Sequence, residues 1–449
     1  MTTPAVDRLS GRDWRLLLVL CGAIFLEGVD ISMTAVALPA IREDLDLAPT
    51  ALQWVVSAYV LGYGGFMLLG GRAADRFGRR RVFLFWLAVF VVFSGLGGFA
   101  QDGVVLVVAR FVTGLSAAFL TPTGLSIITT TFTGPRRDRA LIVYGATGAA
   151  GFSLGMVVGG LLTGFGWRWV FFAPVVLAAL ILVVAIKALP RAERRTPGRF
   201  DVVGAVIVTA AMVLLVYGVA EGPSLTAVLG GLVLLGVFAV VERRVPDPLV
   251  RFATLRAKAS VDIAALLYAA SFFGFQFILV LFLQDELGWT PWQTGLALLI
   301  MGIDAVLAPT LTPRLVRRFG LTRVTVAGLA SGTLAYALVL RADTDWTYWD
   351  VLPSAVLVGI AFALAYGPLT IAATDGVPDA EQGLAGGLLN TAFQFGAALG
   401  VAGVTAVSAF GTTRLDGYRL AVLLSIGAAV AAAVLVATGG TGRRTAGPR

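Results

Sequence analysis

Apolar residues run in stretches of about twenty between short polar breaks along almost the whole chain. A helix of that length rises about 30 Å, the thickness of bilayer hydrocarbon. Fourteen such runs are predicted as spanning helices, with cores at 15–38, 52–71, 82–100, 104–127, 140–164, 169–189, 202–220, 225–241, 260–283, 293–312, 324–341, 351–373, 384–408 and 418–437. The first, from Trp14 to Leu38, is too long for the apolar core of a cleavable signal and carries Glu27 and Asp30. The predicted class is an all-α membrane protein, and the lipid bilayer is its main surrounding.

The charges between the runs set an orientation. With the N-terminus in the cytoplasm, the inner side receives Arg8, Arg12 and Arg15, the cluster Arg72 to Arg81, then Arg136, Arg137 and Arg139. The run from Lys187 to Arg199, the segment Arg243 to Lys258, Arg314 to Arg323 and the C-terminal arginines follow them there. Roughly 28 of the 34 Lys and Arg residues are then inside, a positive-inside bias expected of a cytoplasmic (inner) membrane protein with both termini cytoplasmic. One inner loop, Asp375 to Glu381, is acidic against this trend. The net charge of +8 therefore reads as membrane orientation, and no nucleic-acid partner is expected.

Composition narrows the chemistry. Hydrophobic residues make up 58% and charged residues 13%, outside the range of soluble domains. The single cysteine, Cys21, excludes an internal disulfide and is expected simply to pack. There is no histidine, so any side-chain proton relay must use carboxylates. The pattern G-x-S-x-G at Gly151, Ser153 and Gly155 lacks a triad base for the same reason. Neither lysine, Lys187 or Lys258, follows a glycine, so no nucleotide-binding P-loop exists. No metal site, cofactor or enzyme activity is expected.

The longest polar stretches, Arg191 to Asp201 and Glu242 to Lys258, bracket the seventh and eighth runs. They suggest a six, two, six division: 1–190, an insert at 191–258, and 259–449. A repeat supports the outer sixes. Gly71-Arg-Ala-Ala-Asp75-Arg76-Phe77-Gly78 after the second run is echoed by Pro313-Arg-Leu-Val-Arg317-Arg318-Phe319-Gly320 after the second run of the other six. Gly78 suits the tight turn, Asp75 can accept from an arginine or a helix N-terminus, and the arginines anchor the loop.

The spacing of Gly71, Asp75, Arg76, Gly78 and Arg79 resembles the loop signature of the major facilitator superfamily. Other stretches are similar to its fourteen-span drug:proton antiporter branch. Asp30-Ile-Ser-Met-Thr-Ala-Val-Ala-Leu-Pro39 resembles the first-helix motif, with Ala35 where Asn is usual. Arg110-Phe-Val-Thr-Gly114 resembles the fourth-helix motif with Thr113 in place of Gln. Gly151-Phe-Ser-Leu-Gly155-Met-Val-Val-Gly159-Gly160 resembles the fifth-helix antiporter motif, with Met156 where Pro is expected. Trp167 to Phe172, Phe200-Asp-Val-Val-Gly204, and Gly383 to Asn390 with Gln394 and Gly396 also resemble that branch. The resemblance implies two six-helix bundles related by a pseudo-twofold axis, with two helices inserted. It further implies proton-coupled efflux of small amphipathic drugs or secondary metabolites by alternating access, driven by the proton gradient, in a monomer. A metabolite permease or importer of the same fold, and a non-transporting membrane sensor, are the alternatives.

Charge inside a span is costly unless paired or hydrated. Glu27, Asp30 and Asp304 fall well inside predicted spans, and Asp262 just within the inner end of another, where it reads as a helix-end residue near water. Burial disfavours the charged form of a carboxylate, so such groups suit proton exchange. Arg110 is the basic residue placed in the middle of a span, roughly 10 Å from its outer end, and Asp30 lies ~13 Å from the outer end of the first. Arg110 is expected to pair with Asp30 or with Glu27 one turn away, released by a proton or cationic substrate, or else to form a permanent register-setting pair. Asp304 is a candidate second proton site or cation anchor. Gly151, Gly155 and Gly159 share one helix face and predict a packing groove. Trp54, Tyr59, Tyr268, Phe272, Gln276, Asn390 and Gln394 lie at cavity depth and are the candidate substrate contacts, the amides foremost.

Overall fold

The computed structural model describes residues 10–190, 201–220, 224–245, 248–250, 252–377 and 382–439. Phe200, most of the 191–201 stretch, Glu381 and the C-terminal arginines lie outside the described residues. Among those described there is no strand; the helices are α1 (Gly11–Asp44), α2 (Pro49–Phe77), α3 (Arg79–Gly98), α4 (Gly103–Thr131), α5 (Gly134–Thr163), α6 (Trp169–Ala188), α7 (Val202–Ala220) and α8 (Leu225–Glu242). Then come α9 (Phe252–Leu281), α10 (Pro291–Leu298), α11 (Asp304–Thr310), α12 (Thr312–Phe319), α13 (Leu321–Val339), α14 (Tyr348–Thr374), α15 (Gln382–Ser408) and α16 (Arg414–Gly439). Among the described residues, fourteen helical segments are long and apolar enough to cross a bilayer, which makes this a multi-pass membrane protein.

The tenth span is not the single helix expected from its apolar run. A 3-10 turn at Leu299–Ile303 separates α10 from α11, and the chain breaks again before α12. Gly302 weakens the helix, and Pro309 and Pro313 remove backbone donors. The ninth span ends in a π-helical turn, Phe282–Glu286. The two related turns share their geometry: Gly78 (φ 97°) and Gly320 (φ 84°) both occupy the left-handed region, and each is the single residue between α2 and α3 or between α12 and α13. We call the end bearing these loops the basic end.

α1 packs along α5, α2 along α4, α9 along α15, and α13 along α14. Small residues permit this closeness. A Cβ on Gly400 would lie 2.5 Å from the Cα of Ala270, so α9 and α15 touch backbone to backbone. Two further pairings join helices from the two ends of the sequence, α5 with α10 and α2 with α15. α7 and α8 pack on each other, and α7 lies against α2 and α15. Outward faces carry exposed Phe85, Leu180 and Val233, as lipid contact requires. Cys21 is buried.

Candidate transport site

α1 and α4 bring together the charges at mid-depth. Arg110 Nη1 donates to Asp30 Oδ2 at 2.5 Å, Nε donates to the Val55 carbonyl of α2 at 3.2 Å, and the guanidinium lies 4.5 Å from the Tyr59 ring centroid. Asp30 is fully buried and Arg110 is 2% exposed. A desolvated pair of this kind holds only while both partners are present; removing one typically costs about 3–5 kcal/mol. Asp30 Oδ1 has no hydrogen-bond donor, so the carboxylate is satisfied on one side only.

Glu27, one turn away on α1, has a different environment. It is partly exposed and receives the Thr121 hydroxyl of α4, which in turn accepts from the Tyr63 hydroxyl of α2 at 3.2 Å. α1, α2 and α4 thus converge on Glu27 without using Arg110. From the other end of the sequence, Tyr366 of α14 lies within electrostatic reach of Glu27 and donates to Asn390 Oδ1 at 3.0 Å. Behind Tyr366 the rings of Phe362 and Phe393 lie 5.2 and 5.1 Å away. A carboxylate with hydroxyl partners and a nearby cluster of aromatic rings suits a ligand with an apolar body and few polar contacts.

The other candidates are placed as follows. Tyr268 and Phe272 are buried in the same aromatic cluster, their centroids 6.2 Å apart. Tyr59 is buried beneath Arg110, and Trp54 is half-buried against the core around α2. Gln276 is buried, with its amide 3.8 Å from the Met156 sulfur of α5. Gln394 packs against Gly64 at the α2–α15 contact, where Thr391 donates to the Gly64 carbonyl at 3.1 Å. Asp304 is half-buried at the first position of α11, directly after the 3-10 turn. Asp262 departs from its reading as a residue near water: it is 5% exposed and neither carboxyl oxygen has a partner. It shares the α9 face of Leu266 and Ala270, which α15 covers, so burial follows helix rotation, not depth.

The motif glycines work as contacts. A Cβ on Gly151 would meet the backbone of Phe25, on Gly155 that of Val29, and on Gly159 that of Met33, so the α5 groove receives α1. Gly160 faces Pro291 and Trp292 of α10 instead. At the basic end Asp75 pairs with Arg79 at 3.0 Å, and Arg79 Nε donates to Ser126 of α4 at 2.6 Å. Arg76 lies over the Phe77 ring, and a Cβ built on Gly71 would be in ordinary van der Waals contact with Pro122 Cβ at 3.8 Å. At the opposite end Arg42 of α1 meets Asp285 of the π-helical turn at 2.9 Å, and Gln284 donates to the Val36 carbonyl at 2.9 Å.

Spans closing over a buried ion pair, with two seams between halves of the sequence, define a polytopic membrane transporter and not an enzyme. The chain belongs to the Major Facilitator Superfamily, whose profile matches residues 20–401. It is 35% identical to the puromycin resistance protein pur8 of Streptomyces alboniger, over 94% of this chain and 90% of that one. It is 38% identical to the cephamycin export protein CmcT of Amycolatopsis lactamdurans, over 88% and 85%. The multidrug efflux pump LfrA of Mycolicibacterium smegmatis is 30% identical over 92% and 84%. Among solved structures, the nucleoside transporter NupG superposes with a TM-score of 0.70 at 15% identity, covering 94% of this chain and 99% of that one. An auto-inhibited POT family peptide transporter does so at 0.71 and 16%, covering 97% and 99%. These two share the fold.

Proposed function

We propose that the protein exports small amphipathic compounds, drugs or secondary metabolites, across the cytoplasmic membrane in exchange for protons. The observation that carries this reading is the division of labour on α1: Asp30 is locked to Arg110, while Glu27, one turn away, is partly exposed and held by the Thr121 hydroxyl. A proton or a cationic group on the substrate competes for the same carboxylates, and whichever binds biases the balance between two shapes. Asp304, at the break in the tenth span, is a further carboxylate on this route. The relatives named for antibiotic resistance and export support the direction and the substrate class.

In this reading residues 1–190 and 259–449 rock about the α2–α15 and α5–α10 seams, with the 191–258 insert alongside α7's contacts. The basic end faces the cytoplasm, both termini lie there, one chain suffices, and the proton gradient is the sole energy source. Susceptibility of a host expressing the chain to a compound panel, with and without an uncoupler, tests the reading. Protection that the uncoupler abolishes is expected; protection that survives it, or none against any compound, contradicts it.

A further inference from the structure

The stretch Asp201-Val-Val-Gly204 and the end of α8 put two acids together at the basic end. Asp201 Oδ1 accepts from the Gly204 N–H at 2.8 Å, capping α7. Glu242 Oε2 accepts from the Val250 N–H at 3.0 Å, in the linker to α9. The other two oxygens, Asp201 Oδ2 and Glu242 Oε1, are buried and have no donor. They crowd one spot: a Cβ on Gly204 would lie 2.7 Å from the first and 2.6 Å from the second. The residues are 7% and 2% exposed, and each carboxyl acts electrostatically on the other. Two ionised carboxylates cannot share such a site, whereas one proton between them supplies the missing donor.

We infer that Glu242 holds a proton and donates it to Asp201, and that this shared proton fastens the α7–α8 pair to the end of the second span. The line of contacts is continuous. Glu242 holds Val250; Leu249 and Val250 are buried in the same core as Leu69 and Ala73 of α2; and Arg72 donates to the Pro248 carbonyl. Arg72 lies in the last turns of α2, within the Gly71–Arg81 motif, so the proton sits two contacts from that element. The charge acting on the pair from α2 is Arg72; Arg243 and Arg244, next in sequence after Glu242, are exposed. α15, also packed on α7, carries no charged side chain along its described length. Loss of the proton leaves two like charges face to face, and the insert loosens from α2. The inference needs neither a substrate nor proton-coupled transport.

Thermal unfolding of the full-length protein in detergent, across acid to alkaline pH, tests it. The sign follows from linkage: a proton held in the folded state and not in the unfolded one stabilises at low pH, and that gain fades as the pair deprotonates. The wild type is expected to melt several degrees higher in mild acid than in alkali, with the fall complete once the pair has deprotonated. Glu242→Gln and Asp201→Asn each replace the proton by a permanent amide donor, so their profiles flatten and their alkaline melting points exceed the wild type's. Variant profiles parallel to the wild type's overturn the inference. A second readout uses the wild type alone: trypsin cleavage after Arg243 and Arg244, corrected with a peptide substrate for the protease's own pH profile. Several-fold faster cleavage in alkali supports a released linker, and a pH-independent rate contradicts it.

Discussion

Arg42 at the end of α1 and Asp285 in the π-helical turn after α9 are 2.9 Å apart, joining the two halves at the end of the molecule opposite the basic loops. The Arg42 side chain is 30% exposed, so the pair gains only about 0–1 kcal/mol in aqueous surroundings. That is enough to bias a balance between two shapes by up to roughly fivefold. Asp285→Asn is therefore expected to raise the labelling rate of a cysteine placed at Gln284 by a few-fold, with buried Cys21 giving little background. An unchanged rate removes the pair from the closure of this end.

Thr121 positions Glu27, and a hydrogen bond to a charged group is typically worth about 1.5–3 kcal/mol. Thr121→Ser keeps the hydroxyl and should retain transport-linked proton flux; Thr121→Val removes it and should lower the flux at least several-fold. Equal flux in both variants means that the hydroxyl does not hold Glu27 in its working position.

The buried pair offers a stability test. Arg110→Met strands the Asp30 carboxylate and is expected to destabilise the folded bundle by about 3–5 kcal/mol, while adding Asp30→Asn should recover much of that loss. Unfolding midpoints in detergent give the cycle. Additive losses from the two single changes would mean that the residues do not depend on each other.

The α5 groove predicts a contrast between glycines. A Cβ on Gly155 would lie 2.8 Å from the Val29 Cα, so Gly155→Ala must push α1 and α5 apart and lower the melting temperature. Gly427 of α16 has nothing within 4 Å of a built Cβ, and Gly427→Ala should be neutral or slightly stabilising. Similar melting points for the two variants would contradict the groove.

These tests separate what one sequence shows from what it hides. The spans were legible because a twenty-residue apolar run has one economical fate in lipid. The break at Leu299–Ile303 was not, since Gly302 and Pro309 are tolerated inside many spans and composition does not mark where a helix gives way. The meeting of Asp30 with Arg110 could be anticipated because depth along a helix is set by residue count. The Thr121 and Tyr366 surroundings of Glu27 depend on how α4 and α14 rotate about their axes, which apolar helices of uniform composition do not disclose. The same ambiguity hid Asp262 beneath α15, and hid the burial of Glu242, which opens a polar stretch and yet is 2% exposed.

The account turns on Glu27 and Asp30 exchanging protons as substrate moves. Purified protein in liposomes enclosing a pH-sensitive dye, challenged with a transported compound, measures this directly. Substrate-driven proton movement is expected in the wild type and should vanish in both Glu27→Gln and Asp30→Asn. Proton movement at the wild-type rate in both variants would contradict the scheme.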